Sequence, residues 1–171
     1  AGLRGRRWTH PGDERVDTRR ALRESFATGG AVLSVPERQR KQSAVQATLL
    51  VDVSQSVLDA IDRGFLIQCI WRAVNAWRDV RVFFFDTSVR DVTDAFDAPT
   101  SETALAALDR AEEQWGGGTR IGNALTTIRR EKSTAIDRNS VVFLISDGLE
   151  VGEIDVLEDG MSWMSRRAGA V

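Results

Sequence analysis

The residues at 46–56, Gln-Ala-Thr-Leu-Leu-Val-Asp-Val-Ser-Gln-Ser, narrow the fold more than any other stretch of the chain. Positions 47–51 form an uncharged run of apolar and β-branched residues, which suits a strand buried on both faces of a parallel sheet. The run stops on Asp52, and Ser54 and Ser56 follow at alternate positions. An acid and two hydroxyls therefore stand at the carboxyl end of a strand, the edge at which open α/β sheets bind ligands. A carboxylate taken out of water must be paired or must coordinate something. A divalent cation would satisfy all three oxygens, and magnesium needs only one or two carboxylates because it keeps several waters. The same residues also fit a plain strand end followed by a serine helix cap, and this stretch alone does not separate the two.

The remaining pattern repeats the theme. Positions 80–85 are a second apolar strand, ended by Asp86, and 89–93 can return beside it in an antiparallel edge. Positions 140–145 are a third strand, followed by Ser146, Asp147 and Gly148. Helical periodicity fills the intervals. A single long helix is expected over 57–79, with Leu58, Ile61, Phe65, Cys69, Ile70, Val74 and Trp77 on its apolar face. Others are expected over 101–114 with Ser101 as cap, over 120–132 and over 154–167. Three consecutive glycines, Gly116 to Gly118, allow a sharp loop that delivers Thr119 to the start of the third of these helices. Strands alternating with helices make an α/β fold with a largely parallel sheet, so Asp52, Thr119 and Asp147 are expected on one edge.

Ahead of the first core strand, Asp17 or Thr18 caps a helix that Gly29 and Gly30 stop, 31–35 suits a short edge strand, and 37–43 is a charged connection. Residues 1–16, rich in arginine and holding Gly2, Gly5, Pro11 and Gly12, are expected to be an irregular arm, with the domain itself over 17–171. Residues 1–45 carry ten of the 23 Lys/Arg and five of the 25 Asp/Glu, so a basic arm precedes an acidic remainder. The arm lacks aromatic interleaving apart from Trp8 and has no nucleic-acid motif, which makes nucleic acid an unexpected partner. The single cysteine, Cys69, is expected to be a buried hydrophobe and forms no disulfide framework. No stretch is long and apolar enough for a membrane span, and no leader pattern opens the chain, so a cytoplasmic protein is expected.

Taken together, Asp52, Ser54, Ser56, Thr119 after a glycine loop and Asp147 at a later strand end resemble the metal-ion-dependent adhesion site of von Willebrand factor A domains. The segments Leu-Leu-Val-Asp-Val-Ser-Gln-Ser, Val-Arg-Val-Phe-Phe-Phe-Asp-Thr, Gly-Gly-Thr-Arg-Ile-Gly-Asn-Ala-Leu and Ile-Ser-Asp-Gly are similar to the CoxE-like branch of that superfamily. So is the approach at 17–23 with Gly29 and Gly30. The resemblance covers about 17–171. It implies a Rossmann-like sheet flanked by helices and a bound Mg²⁺ (or Mn²⁺). Ser54, Ser56 and Thr119 are its implied direct ligands, with Asp52 and Asp147 holding it partly through waters. It further implies a non-enzymatic interaction module that takes an acidic side chain on its metal. The implied partners are a MoxR-type AAA+ ATPase and a client metalloenzyme whose maturation the pair serves. Gln55 and Val57 depart from the family's commoner glycine and methionine without removing an oxygen ligand. The family fold usually adds one or two strands after the helix at 154–167, so a C-terminally incomplete domain is expected.

Two other readings compete. A haloacid-dehalogenase-like phosphatase also places an acid at the first strand end, but wants a second carboxylate where Ser54 stands, and a hydroxyl is a poor general acid. An RNA-binding relative of the same fold rests on the basic arm alone. A serine hydrolase would need a histidine, and the only one is His10, with no Gly-x-Ser-x-Gly elbow.

Overall fold

The computed structural model describes residues 2–27, 29–30, 34–77, 79–110 and 117–171, with the backbone alone for 2–8 and 40–44. The chain packs as two units, 1–44 and 45–171.

In the first unit, β1 (Gly2–Thr9) and β2 (Arg15–Val16) both pair antiparallel with β3 (Glu37–Ala44). Residues 2–9 are thus a strand and not the irregular arm their glycines suggest. The irregularity takes the form of a register shift between Arg4 and Trp8, which lets the strand keep its partner. Pro11 and Gly12 make the turn, where a Cβ on Gly12 would run into the backbone nitrogen of Gln39. The charged segment expected as a connection is the central strand of this sheet. Of the expected edge strand at 31–35, 31–33 lie outside the described residues, and Ser34 and Val35 are not in a strand. Helix α1 (Thr18–Ala27) starts where Asp17 accepts the Arg20 N–H at 3.1 Å, and Gly30 closes it through its N–H to the Ser25 carbonyl at 2.8 Å. The Arg20 N–H, with Arg38 and His10 nearby, holds the Asp17 carboxyl below its ordinary value. His10 is ordered, bonded to the Glu37 carbonyl at 2.8 Å and to Asp17 at 3.1 Å.

The second unit is a mixed α/β fold whose sheet has the order β6-β5-β4-β7. Strands β4 (Gln46–Asp52), β5 (Val80–Phe85) and β7 (Ser140–Ile145) run parallel, and β6 (Val89–Asp91) returns antiparallel beside β5. Strand β4 lies at the centre, and everything after Gln46 in it is buried. Alternate side chains enter opposite layers, as the two-residue period of a strand requires. Ala47, Leu49, Val51, Val82 and Phe84 pack with Leu66, Ile67, Ile70, Phe96 and Leu108, while Leu50, Phe83, Phe85 and Val142 pack with Leu125, Ile128, Ile136 and Met164. The first set meets α3 (Arg63–Ala76) and α4 (Ser101–Arg110); the second meets α5 (Ile121–Glu131) and α6 (Ile154–Arg167). Thr48, on the second face, satisfies its buried hydroxyl by donating to the Ala135 carbonyl at 2.7 Å.

The single helix expected over 57–79 is two. Helix α2 (Gln55–Ala60) ends at Ile61, which is extended, and Asp62 caps α3 by accepting the Phe65 N–H at 2.8 Å. The break resets the helical phase, so Leu66, Ile67 and Ile70 turn inward and Phe65 and Cys69 turn outward. The cysteine is therefore exposed, contrary to expectation. Helix α4 is capped not by Ser101 but by Thr100, whose hydroxyl accepts the Thr103 N–H at 3.2 Å while Thr103 returns the bond at 3.1 Å. The tail of that helix after Arg110, with Ala111, lies outside the described residues. After α6 the chain reaches the outer side of β7, where Ala170 bridges Val141 in parallel and accepts the Val142 N–H at 2.9 Å. Among the described residues no helix is long and apolar enough to cross a membrane.

Candidate functional site

Three loops leave the carboxyl ends of β4, β5 and β7, and the residues singled out by sequence stand on the first and third of them and on the glycine loop. Asp52, the last residue of β4, has 0% of its surface exposed. One carboxylate oxygen accepts the Ser54 N–H at 2.8 Å and the other accepts the Ser146 hydroxyl at 2.6 Å, so the ends of β4 and β7 are joined through it. Ser54 occupies the N-cap of α2, yet its side chain makes no capping bond. Its hydroxyl lies 3.3 Å from that of Ser56, along the sheet edge. Ser54 thus takes the cap position without capping through its side chain.

The Ser56 hydroxyl, with the Leu149 N–H at 3.0 Å, holds the exposed Asp147 carboxyl below its ordinary value. Asp52, Ser54 and Ser56 are linked by hydrogen bonds, and Asp147 stands near enough to the Ser56 hydroxyl for its charged form to be favoured. Thr119, 2% exposed, joins them through backbone. The Gly117 carbonyl accepts the Gln55 N–H at 3.3 Å, and the Thr119 carbonyl accepts the Val151 N–H at 3.0 Å. The glycine loop is thus tied on one side to the start of α2 and on the other to the loop that carries Asp147. Trp115 and Gly116 lie outside the described residues. Arg120 is exposed, and Trp163, the other tryptophan of interest, is half-buried against the α5–α6 core.

Three residues of this edge carry no signal in the motif. Ser146 holds Asp52 and also accepts the Gly148 N–H at 3.0 Å. Asp86, buried at the end of β5, accepts from the Ser88 N–H at 2.9 Å and from Arg90 at 3.0 Å, and it forms the floor of the glycine loop. An added Cβ at Gly117 would stand 3.3 Å from its carboxylate, a tight contact that glycine avoids. Glu150 accepts the Gly122 N–H at 3.1 Å and the Gly152 N–H at 2.6 Å, clamping the Asp147 loop to the start of α5. The strand-end acid at 86 was visible in sequence; the roles of Ser146 and Glu150 depend on partners far away along the chain.

The donor set consists of two carboxylates and three hydroxyls. Among the described residues no group of three or more His, Cys, Asp or Glu could hold a metal ion. A cation held by these five residues would meet hard oxygens, which suits one that keeps some of its water.

Comparison with known proteins agrees with this architecture. A solved structure of proximal thread matrix protein 1 from the mussel byssus, crystal form 2, matches with a TM-score of 0.53 and 14% identity over 75% of this chain and 37% of that one. A second structure of the mussel protein, described as having a zinc-occupied MIDAS motif, matches at TM-score 0.48 and 15% identity over 71% of this chain and 36% of that one. This chain thus spans little more than a third of the length of those structures, and the likeness to the first is one of fold. No curated protein matches. The family model for VWA domain containing CoxE-like protein matches residues 1–171, both units and the whole strand-end edge, and the chain belongs to that family.

Proposed function

We propose that this chain is a metal-dependent protein-interaction module. Ser54, Ser56 and Thr119 serve as direct oxygen ligands of Mg²⁺ or Mn²⁺, and Asp52 and Asp147 hold the ion partly through waters. The observation that carries the reading is Ser54: a serine at a helix N-cap whose hydroxyl makes no capping bond and lies 3.3 Å from a second hydroxyl, while its N–H is held by the Asp52 carboxylate. When bound, the cation supplies an open coordination position for an anionic ligand. The chain supplies two carboxylates to balance a dication and three hydroxyls, of which those of Ser54 and Thr119 belong to buried residues. A carboxylate from a partner completes the shell.

The partner in this proposal is a MoxR-type AAA+ ATPase acting with the module on a client metalloenzyme in the cytoplasm. Ser54 stands where phosphatase chemistry needs a carboxylic acid as general acid, which weighs against an enzymatic reading of this edge. Pull-down of MoxR-type ATPases by the immobilised chain tests the partnership. Capture is expected in Mg²⁺, and it should be lost both in EDTA and with Thr119→Ala. Capture that survives both treatments places the interface elsewhere.

A further inference from the structure

The loop after Asp147 has an inverted pattern. Leu149 is 60% exposed and Val151 69%, while the charged residue between them, Glu150, is turned inward. Ile154, at the start of α6, is 58% exposed. An exposed loop ordinarily puts its carboxylate in water and covers its aliphatic side chains. Here the reverse conformation is held by four hydrogen bonds. Glu150 accepts from Gly122 at 3.1 Å and from Gly152 at 2.6 Å, the Val151 N–H donates to Thr119 at 3.0 Å, and the Leu149 N–H donates to Asp147 at 3.0 Å. The apolar side chains are thus presented by a braced backbone, and exposed apolar patches of this kind mark interaction sites.

The same bonds fix where the patch lies. Leu149 is bonded through its backbone to the Asp147 carboxylate, and Val151 to the residue that bears the Thr119 hydroxyl. A segment that seats a carboxylate at the strand-end edge passes near the backbone of both. A small anion would leave them in water; a polypeptide segment covers them. Once a dication balances Asp52 and Asp147, the exposed Arg120 beside Thr119 adds positive charge, which favours an acid at that end of the segment.

We propose that Leu149 and Val151, with Ile154 beyond them, form the second half of a composite docking surface. Its occupant is a partner segment with an acidic side chain for the metal and a large aliphatic side chain next to it. This rests on the metal-site reading above and adds to it a specificity that the metal alone does not give. The aliphatic side chain selects among the many acidic residues a partner's surface displays, because burying it against Leu149 and Val151 removes apolar area from water.

An array of short peptides tests it, each with a central Asp or Asn flanked by Leu or by Ser, probed with the labelled chain in MnCl₂ or in EDTA. The Asp–Leu peptides are expected to retain about tenfold more chain than the Asp–Ser peptides in Mn²⁺. In the double variant Leu149→Ser/Val151→Ser that preference should vanish, leaving weak metal-dependent capture by any Asp peptide. Both positions are exposed, so the variant keeps the fold, which circular dichroism verifies. A silent array, or a wild-type chain that does not distinguish Leu from Ser, overturns the docking surface. If capture still needs Asp and Mn²⁺ in that case, the metal reading stands without it. Capture that needs Leu149 and Val151 but survives EDTA overturns the composite surface from the other side, since the apolar patch then acts alone and the metal reading fails.

Discussion

Asp52→Ala is expected to weaken Mn²⁺ binding about 100-fold, the upper end of what is lost when a group that orients metal ligands is removed. Asp52 is fully buried and joins two strand ends, through the Ser54 N–H at 2.8 Å and the Ser146 hydroxyl at 2.6 Å. Its loss removes one of the two negative charges that balance the cation, and it frees Ser54 from the geometry that aims its hydroxyl along the edge. Two opposing terms govern stability. Removing an ionised group from a dry position is favourable, while the two donors left without an acceptor cost on the order of 1–3 kcal/mol each. The two terms oppose each other, so the stability change is read in EDTA, apart from the effect on binding. Isothermal titration with MnCl₂, paired with thermal unfolding in EDTA, separates the two. Unchanged Mn²⁺ affinity in a folded Asp52→Ala chain removes Asp52 from the site.

The largest effect on stability is expected from a residue that has no side chain. Gly122 lies in the first turn of α5, and a Cβ built there would stand 2.6 Å from the Leu157 backbone nitrogen and 2.9 Å from its Cα. Leu157 belongs to α6, so the two helices approach backbone to backbone at this point. Gly160 makes the converse contact, but its added Cβ would meet the side chain of Leu125 at 2.9 Å. That nearest Leu125 atom is its Cβ, which no side-chain rotation moves, so both contacts are crowded and the one at Gly122, with backbone at 2.6 Å, is the closer. Gly122→Ala should therefore cost about 1–3 kcal/mol even after the better helix propensity of alanine is counted. For a chain of this size that lowers the unfolding midpoint by roughly 2–4 °C per kcal/mol. Gly160→Ala should cost less. Differential scanning calorimetry of both variants checks the order, and a Gly122→Ala chain as stable as wild type contradicts the close crossing. Because the Gly122 N–H donates to Glu150, the variant should also loosen the loop that carries Asp147.

The parallel strands were legible because a strand covered on both faces is apolar at nearly every position, and the runs at 47–51, 80–85 and 140–145, interrupted only by Thr48, Arg81 and Ser140, have no helical period to compete with. The helix break at Ile61 and Asp62 was not legible. The apolar spacing continues across it, and only the capping bond to Phe65 reveals that Asp62 starts a new helix. The exposure of Cys69 follows from the same lost phase. Residues 2–9 were misread because their strand is fixed by a partner at 37–44, and glycine content alone cannot report pairing across that distance. At the strand-end edge the spacing of Asp52, Ser54 and Ser56 was local and therefore visible. Ser146 reaches Asp52 from 94 residues away, and Glu150 reaches Gly122 from 28, so their contributions emerge only once the sheet has assembled.

Anomalous diffraction from crystals grown in saturating MnCl₂ addresses the metal directly. The expected result is one strong manganese peak about 2.1 Å from the hydroxyl oxygens of Ser54, Ser56 and Thr119, with Asp52 and Asp147 around it. A peak that leaves those three hydroxyls uncoordinated, or none at that edge, contradicts the proposed metal site.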